Sequence, residues 1–324
     1  MKMQLLRPNN FEEFVGQEKI IYTLKTMING AKFRNETLDH IIFSGPPGTG
    51  KTTLANIIAN EVGSKVHYLQ GSLLEKKLDI LSVFANINDN DIIFIDEIHS
   101  INKSVEELIY NAMEDFKVDI ILGVEGNSKV MRMNLSHFTL IGATTKINIL
   151  SQPFRDRFGL ISNLGKYKEE DIIKILKNNK EKMNVEIDEE SLKLLSSYSR
   201  YTPRIANHLL KRAFDFSLKD NSKKITKKTV LETFKHLELY KDGLNKEHID
   251  YLNLLNESFN EKWVSVDAIC GILNTNKERI INEIEPHLLY LKLVEKSSRG
   301  RRITSKGIDY LINLLVNNSN FCHY

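Results

Sequence analysis

Eight residues, Gly45-Pro46-Pro47-Gly48-Thr49-Gly50-Lys51-Thr52, constrain the fold of this chain more than any others. They match Gly-x-x-x-x-Gly-Lys-[Ser/Thr] in full. Glycines there let backbone N–H groups turn inward onto phosphate oxygens, and Lys51 neutralises charge at the β- and γ-phosphates. The Thr52 hydroxyl reaches Mg²⁺, and the helix that follows, Thr53–Val62, aims its positive end at the same phosphates. The loop comes directly after the apolar run Ile41-Ile42-Phe43. That strand before it and the helix after it separate this loop from an ordinary Gly-Pro turn. A nucleotide such as ATP, with Mg²⁺, is the implied ligand.

The loop fixes a strand–loop–helix unit, and the neighbouring sequence repeats that alternation. Val66-His67-Tyr68-Leu69, Ile92-Ile93-Phe94-Ile95 and Phe138-Thr139-Leu140-Ile141 are short runs rich in β-branched and aromatic residues, as buried parallel strands are. Strands alternating with helices predict an α/β domain whose parallel sheet is covered on both faces. From about 168 the strand signals vanish. Amphipathic stretches at Ile172–Leu176, Ser191–Tyr198 and Arg204–Phe216 predict a small helical domain. Helical patterns at 246–257, 265–273 and 277–290 precede Leu293–Lys296 and Arg302–Thr304, which flank the turn Ser297–Arg301. Three helices followed by a hairpin is the plan of a winged helix. The expected division is therefore 1–166, 167–241 and 242–324.

Other segments add chemistry to the loop. Asp96 and Glu97 end the strand Ile92–Ile95; Asp96 is suited to holding hydrated Mg²⁺ and Glu97 to polarising the attacking water. Taken alone, the pair could equally cap the helix after Asn102. Thr144 and Thr145 end the strand begun at Phe138, where a hydroxyl can report the state of the γ-phosphate; a simple strand-end cap is the other reading. Arg155 and Arg157 lie in Pro153-Phe154-Arg155-Asp156-Arg157-Phe158-Gly159. A guanidinium can stabilise the charge that spreads in phosphoryl transfer, from a neighbouring subunit if need be. The same spacing also suits a surface Arg–Asp pair. Thr202-Pro203-Arg204 reads as N-cap, N1 and N2 of a helix, which would fix Arg204 at a helix start.

The net charge is only +3, so any surface for nucleic acid must be local. Lys296, Arg299, Arg301, Arg302 and Lys306 supply such a patch on the expected wing, suited to phosphates rather than to base edges. Cys270 and Cys322 are far apart and have no metal-like spacing, which fits a reducing compartment. No apolar run approaches the roughly 20 residues of a membrane span. The first eight residues hold no apolar signal core, so a cytoplasmic location is expected.

Taken together, these segments resemble the AAA+ ATPases, and most closely the RuvB family of bacterial Holliday-junction branch-migration motors. The residues that carry the resemblance begin with Leu6-Arg7-Pro8, Phe14-Val15-Gly16-Gln17, Leu38-Asp39-His40 and the loop itself. They continue through Phe94–His99, Ala112–Phe116, Phe138–Thr145, Arg155–Gly159, Thr202–Asn207 and Glu285–Leu288. The resemblance implies an AAA+ P-loop domain, a helical lid and a winged-helix head, assembled as a hexameric ring on double-stranded DNA at four-way junctions.

It also implies roles residue by residue. Leu6, Arg7 and Tyr167 would border the base and ribose, while Gly48, Gly50, Lys51, Thr52 and Thr53 hold phosphates. Thr145 would be the first sensor, Arg204 the second, and Arg157 the finger offered to the next subunit with Arg155 beside it. Glu114, Asp115 and Phe116 would lie near the subunit interface, and Lys296 and Arg301 would match the family's DNA-contacting arginines. The stretch 118–135, with Gly123 and Gly126, looks like the hairpin that docks onto a RuvA-like junction-binding protein; a junction resolvase is a further possible partner. This chain departs from the family at Tyr201, where a Gly is usual, and in Lys296-Ser297-Ser298-Arg299-Gly300-Arg301, where Arg-Thr-Pro-Arg-Gly-Arg is usual. The implied activity is ATP-driven branch migration in recombination and repair. The alternatives are a clamp-loader-like AAA+ subunit, whose Ser-Arg-Cys motif is absent from the sequence, and a nucleotide-gated DNA-binding regulator.

Overall fold

The computed structural model describes residues 3–122, 129–219, 222–259 and 262–321. Two compact units divide the chain, Met1–Thr226 and Lys227–Tyr324.

The first unit begins with helix α1 (Glu18–Arg34) and strand β1 (Ile41–Ser44), and the phosphate loop joins β1 to α2 (Lys51–Val62). Strand β2 (Val66–Gln70), α3 (Lys77–Phe84), β3 (Ile92–Asp96) and α4 (Lys103–Asp115) follow. Next come the antiparallel pair β4 (Lys117–Leu122) and β5 (Lys129–Asn134), then β6 (Thr139–Thr144), α5 (Gln152–Arg155) and β7 (Leu160–Asn163). The central sheet runs β2-β3-β6-β1-β7, and all its pairings are parallel. Strands β1 and β6 are buried along their whole length, as their apolar runs require. Phe43, Phe94 and Phe138 are at most 2% exposed, and each stabilises the core by about 1.5–3 kcal/mol.

The four expected strands are present. The sequence reading did not include β7, whose residues alternate between half-buried and exposed. Gly123 and Gly126 of the expected docking hairpin lie outside the described residues, while its arms β4 and β5 pair from Lys117↔Asn134 to Leu122↔Lys129.

Three helices complete the unit: α6 (Glu169–Met183), α7 (Glu189–Ser197) and α8 (Pro203–Lys219). The two-residue strands β8 (Glu186–Ile187) and β9 (Lys224–Ile225) tie their ends together. Each expected amphipathic stretch lies in one of these helices and buries its apolar positions, such as Ile172, Leu176, Leu192 and Leu210.

The second unit holds α9 (Lys227–His236), the short pair β10 (Leu239–Tyr240) and β11 (Leu244–Asn245), and α10 (Lys246–Asn253). Then come α11 (Val266–Leu273), α12 (Lys277–Arg279), which runs through a π-helical stretch into α13 (Glu285–Tyr290), and the hairpin β12 (Val294–Ser297) and β13 (Gly300–Ile303). A last helix, α14 (Ser305–Phe321), closes the unit. The core collects Leu252, Ile269, Ile280, Leu288, Val294 and Ile303 around Tyr251, as a winged helix does.

Candidate nucleotide-binding site

The phosphate loop turns sharply because Gly48 has φ 79°, where side chains carrying a Cβ are strained. A Cβ there would also lie 2.8 Å from the Cβ of Arg204 and 2.9 Å from a Thr202 methyl, so glycine lets α8 approach the loop. Lys51 is 7% exposed, and its ammonium donates to the carbonyls of Gly45 and Pro46, both at 2.8 Å. Burial pulls its pKa below the ordinary lysine value, against the pull of Glu97 and Asp96.

A cavity of about 660 Å³ opens on this loop. Leu6, Arg7, Gly48, Gly50, Lys51, Thr52, Thr53, Asp96, Glu97, Tyr167 and Arg204 all line it, so residues as far apart in sequence as Leu6 and Arg204 meet in one place. Tyr167 donates its hydroxyl to the Thr49 carbonyl at 3.0 Å, and burial pushes that phenol well above the ordinary tyrosine range. Its backbone N–H donates to the Tyr201 carbonyl. Arg200 and Tyr201 have φ 53° and 56°, the left-handed region that favours glycine. An L-residue in that conformation costs about 1–2 kcal/mol. Pro203 opens α8 as expected, with Arg204 second, though the Thr202 hydroxyl donates to the Arg200 carbonyl.

The acidic pair does not cap a helix side chain to backbone. Asn102 caps α4 by accepting from Ser104 N, so that reading of Asp96 and Glu97 drops out. Glu97 sits at φ 49°, ψ 48°, in left-handed backbone. Its carbonyl is pressed against Gly71, where a Cβ would come within 2.3 Å of that oxygen. Glu97 Oε2 accepts from the Thr145 hydroxyl at 3.3 Å and lies 3.1 Å from His99 Nδ1. Thr145 thus joins the acidic pair through Glu97, whereas the buried Thr144 contacts His99. The sequence reading passed over Gly71 and gave no role to His99, which it quoted only as the end of Phe94–His99. For His99 the available signal was its place two residues beyond the acidic pair.

Glu114, Asp115, Phe116, Arg155 and Arg157 do not line this cavity. Arg157 donates to the Tyr110 hydroxyl at 2.6 Å, pairs with Glu114 at 2.6 Å and places its guanidinium 4.6 Å from the Tyr110 ring centre. Arg157 therefore does not pair with its neighbour Asp156 in this structure; that carboxylate accepts from Gln152. Arg155 donates to the Gln152 side-chain oxygen. Phe116 and Arg157 share a second cavity with His40. His40 accepts from Leu140 N at Nδ1 and faces the Met113 carbonyl with Nε2 at 3.2 Å, so the proton sits on Nε2.

In the second unit, Lys296 and Arg299 are exposed on the hairpin. Arg301 is placed differently from expectation. It is 8% exposed and donates from Nε and Nη2 to the two oxygens of Glu285, at 2.7 and 3.1 Å. Tyr251 donates to the same carboxylate at 2.9 Å. Lys296 pairs with Arg301 across the hairpin, so both leave the same face; Arg301 is drawn in by Glu285 while Lys296 stays exposed. Among the described residues no cluster of three or more His, Cys, Asp or Glu could hold a metal, and no helix is long and apolar enough to cross a membrane.

Comparison with known proteins covers almost the whole chain. Residues 6–164 match the family model described as the Holliday junction DNA helicase RuvB P-loop domain. Residues 167–240 match the RuvB AAA lid domain and residues 241–312 the RuvB C-terminal winged helix domain. The Holliday junction branch migration complex subunit RuvB of Mycoplasmopsis synoviae is 54% identical over 310 residues, covering 96% of this chain and 98% of that protein. The protein of the same name from Neorickettsia sennetsu is 40% identical over 306 residues, 94% and 92% of the two chains. The solved Thermotoga maritima RuvB Holliday junction branch migration motor superposes with a TM-score of 0.83 at 36% identity, covering 95% and 99%.

Proposed function

The chain belongs to the RuvB family of AAA+ P-loop ATPases, and from that premise we propose that it is the ATP-driven motor of Holliday-junction branch migration. The observation that carries the proposal is the single cavity in which the phosphate loop, the acidic pair and Arg204 meet while Arg157 lies outside its lining. A site built this way binds nucleotide within one subunit and takes its finger from the next. We assign the working parts as a hexameric ring in the cytoplasm, with divisions at 1–166, 167–241 and 242–324.

Thr52 and Asp96 would hold Mg²⁺. They line the cavity beside Lys51 and offer the hard oxygen donors that ion takes alongside phosphate and water. Bound there, the ion would supply positive charge against the phosphates. Lys51 and Arg204 hold the phosphates, Thr145 answers to the γ-phosphate, and Glu97 orients and deprotonates the attacking water. Leu6, Arg7 and Tyr167 border the base and ribose, with Gly50 and Thr53 completing the phosphate cradle. Arg157, with Arg155 beside it and Glu114, Asp115 and Phe116 at the same face, serves the neighbouring subunit's nucleotide. Lys296 and Arg299 lie along DNA phosphates, and the β4–β5 hairpin docks a RuvA-like protein. A junction resolvase would act on the same substrate.

A synthetic four-way junction tests this reading. With ATP, Mg²⁺ and the junction-binding partner, the parent chain should separate the junction into duplex arms, and Lys51→Ala should not. Tight sequence-specific DNA binding with no separation under any of these conditions would refute it in favour of a regulator.

A further inference from the structure

Glu97 is not held by the phosphate loop. Its Oε2 meets the Thr145 hydroxyl at 3.3 Å and His99 Nδ1 at 3.1 Å. The same Nδ1 lies 2.9 Å from the hydroxyl of Thr144, which is fully buried at the end of β6 and accepts from Lys146 N. With the proton on Nδ1, that one N–H faces two acceptors, the Thr144 oxygen at 2.9 Å and Glu97 Oε2 at 3.1 Å, and is shared between them. His99 also stands on rigid ground. It lies in the single 3₁₀ turn Ile98–Ser100, and Ile98 is fully buried against Gly142 of β6, where an added Cβ would come within 2.8 Å of Ile98 Cδ1.

The two donors on Glu97 differ in what else they must do. Thr145 is the residue assigned to the γ-phosphate, and its hydroxyl has one proton to give. When that proton goes to phosphate, His99 remains as the side-chain donor that fixes the carboxylate among the described residues. We infer that His99 is a positioning residue for ATP hydrolysis, holding Glu97 toward the attacking water through Nδ1–H and itself anchored by Thr144. The inference rests on the reading of Glu97 as the residue that activates water.

The test is steady-state ATP hydrolysis by the full chain with duplex DNA, together with equilibrium binding of a fluorescent ATP analogue. His99→Leu should lower kcat by roughly 10- to 100-fold, a share of what a positioned base contributes, with KM and analogue binding within about twofold of the parent. His99→Asn, whose side-chain amide can place an N–H where Nδ1–H stood, should recover most of that loss. In a Glu97→Gln background, His99→Leu should cost nothing more, because a residue acting only through Glu97 has no effect once Glu97 is disabled. A kcat for His99→Leu at or above the parental value overturns the inference. So does a loss confined to KM, or an equal further loss in the Glu97→Gln background. Full activity of Glu97→Gln alone would instead sink the reading of Glu97, which separates the two failures.

Discussion

Arg301 offers the sharpest contest between what a sequence suggests and what packing dictates. Removing its side chain by Arg301→Ala leaves the Glu285 carboxylate, 1% exposed, with Tyr251 as its side-chain donor. Two charge-assisted hydrogen bonds at 2.7 and 3.1 Å disappear. Breaking one side of a buried ion pair in this way costs about 3–5 kcal/mol. The chain contains a single tryptophan. Trp263 has the Arg302 guanidinium 4.9 Å from its ring centre and precedes Val264, which exchanges backbone hydrogen bonds with Arg301. Tryptophan fluorescence therefore reports unfolding of the second unit within the intact chain. With a urea slope of roughly 2 kcal/mol per M, Arg301→Ala should lower the midpoint by about 2 M. The double change Arg301→Met with Glu285→Met should return most of that loss, since an apolar pair of similar volume replaces the ions. That double variant should also keep the parental salt dependence of DNA binding, whereas Lys296→Ala and Arg299→Ala should each reduce the slope by about 1. If Arg301→Ala moved the midpoint by less than about 0.5 M and lowered the salt slope by a full unit, the inward assignment would be wrong.

Further outcomes follow from the first unit. Arg157→Ala should leave ATP-analogue binding within about twofold yet lower kcat by about 10³-fold in the assembled ring; mixing it with Glu97→Gln subunits should restore some hydrolysis, and no restoration would count against a finger acting between subunits. Gly71→Ala should lower kcat more than nucleotide affinity, because the new Cβ meets the Glu97 carbonyl and must displace it; parental kcat would show that the contact is not needed. His40 is held below the ordinary histidine pKa by burial, so its folded form binds protons less readily than its unfolded form. Its contribution to stability is therefore complete above about pH 6.5 and is lost as pH falls through the depressed value. Urea unfolding of the first unit from pH 7 to 5 should show that loss in the parent and a shallower one in His40→Gln; equal slopes would contradict it.

What could be read from the sequence was whatever chemistry is carried by neighbours in the chain. The phosphate loop states its conformation through Gly48 and its charge through Lys51, and β1 and β6 announce full burial through unbroken apolar runs. Strand β7 gave no such signal because Leu160-Ile161-Ser162-Asn163 sits at the sheet edge, where one neighbour, β1, suffices to hold it. The rest depended on pairings no local pattern encodes. Gly71 matters because of Glu97, 26 positions on, and Tyr201, in left-handed backbone, accepts at its carbonyl from Tyr167 N, 34 positions back. The five cations near the wing look alike in sequence, yet only Arg301 faces Glu285. A buried carboxylate sixteen residues away decides which cation belongs to the core, while Lys296 and Arg299 stay exposed. Charge reserved for a ligand is thus distinguished from charge reserved for the core only once the partner's place in three dimensions is known.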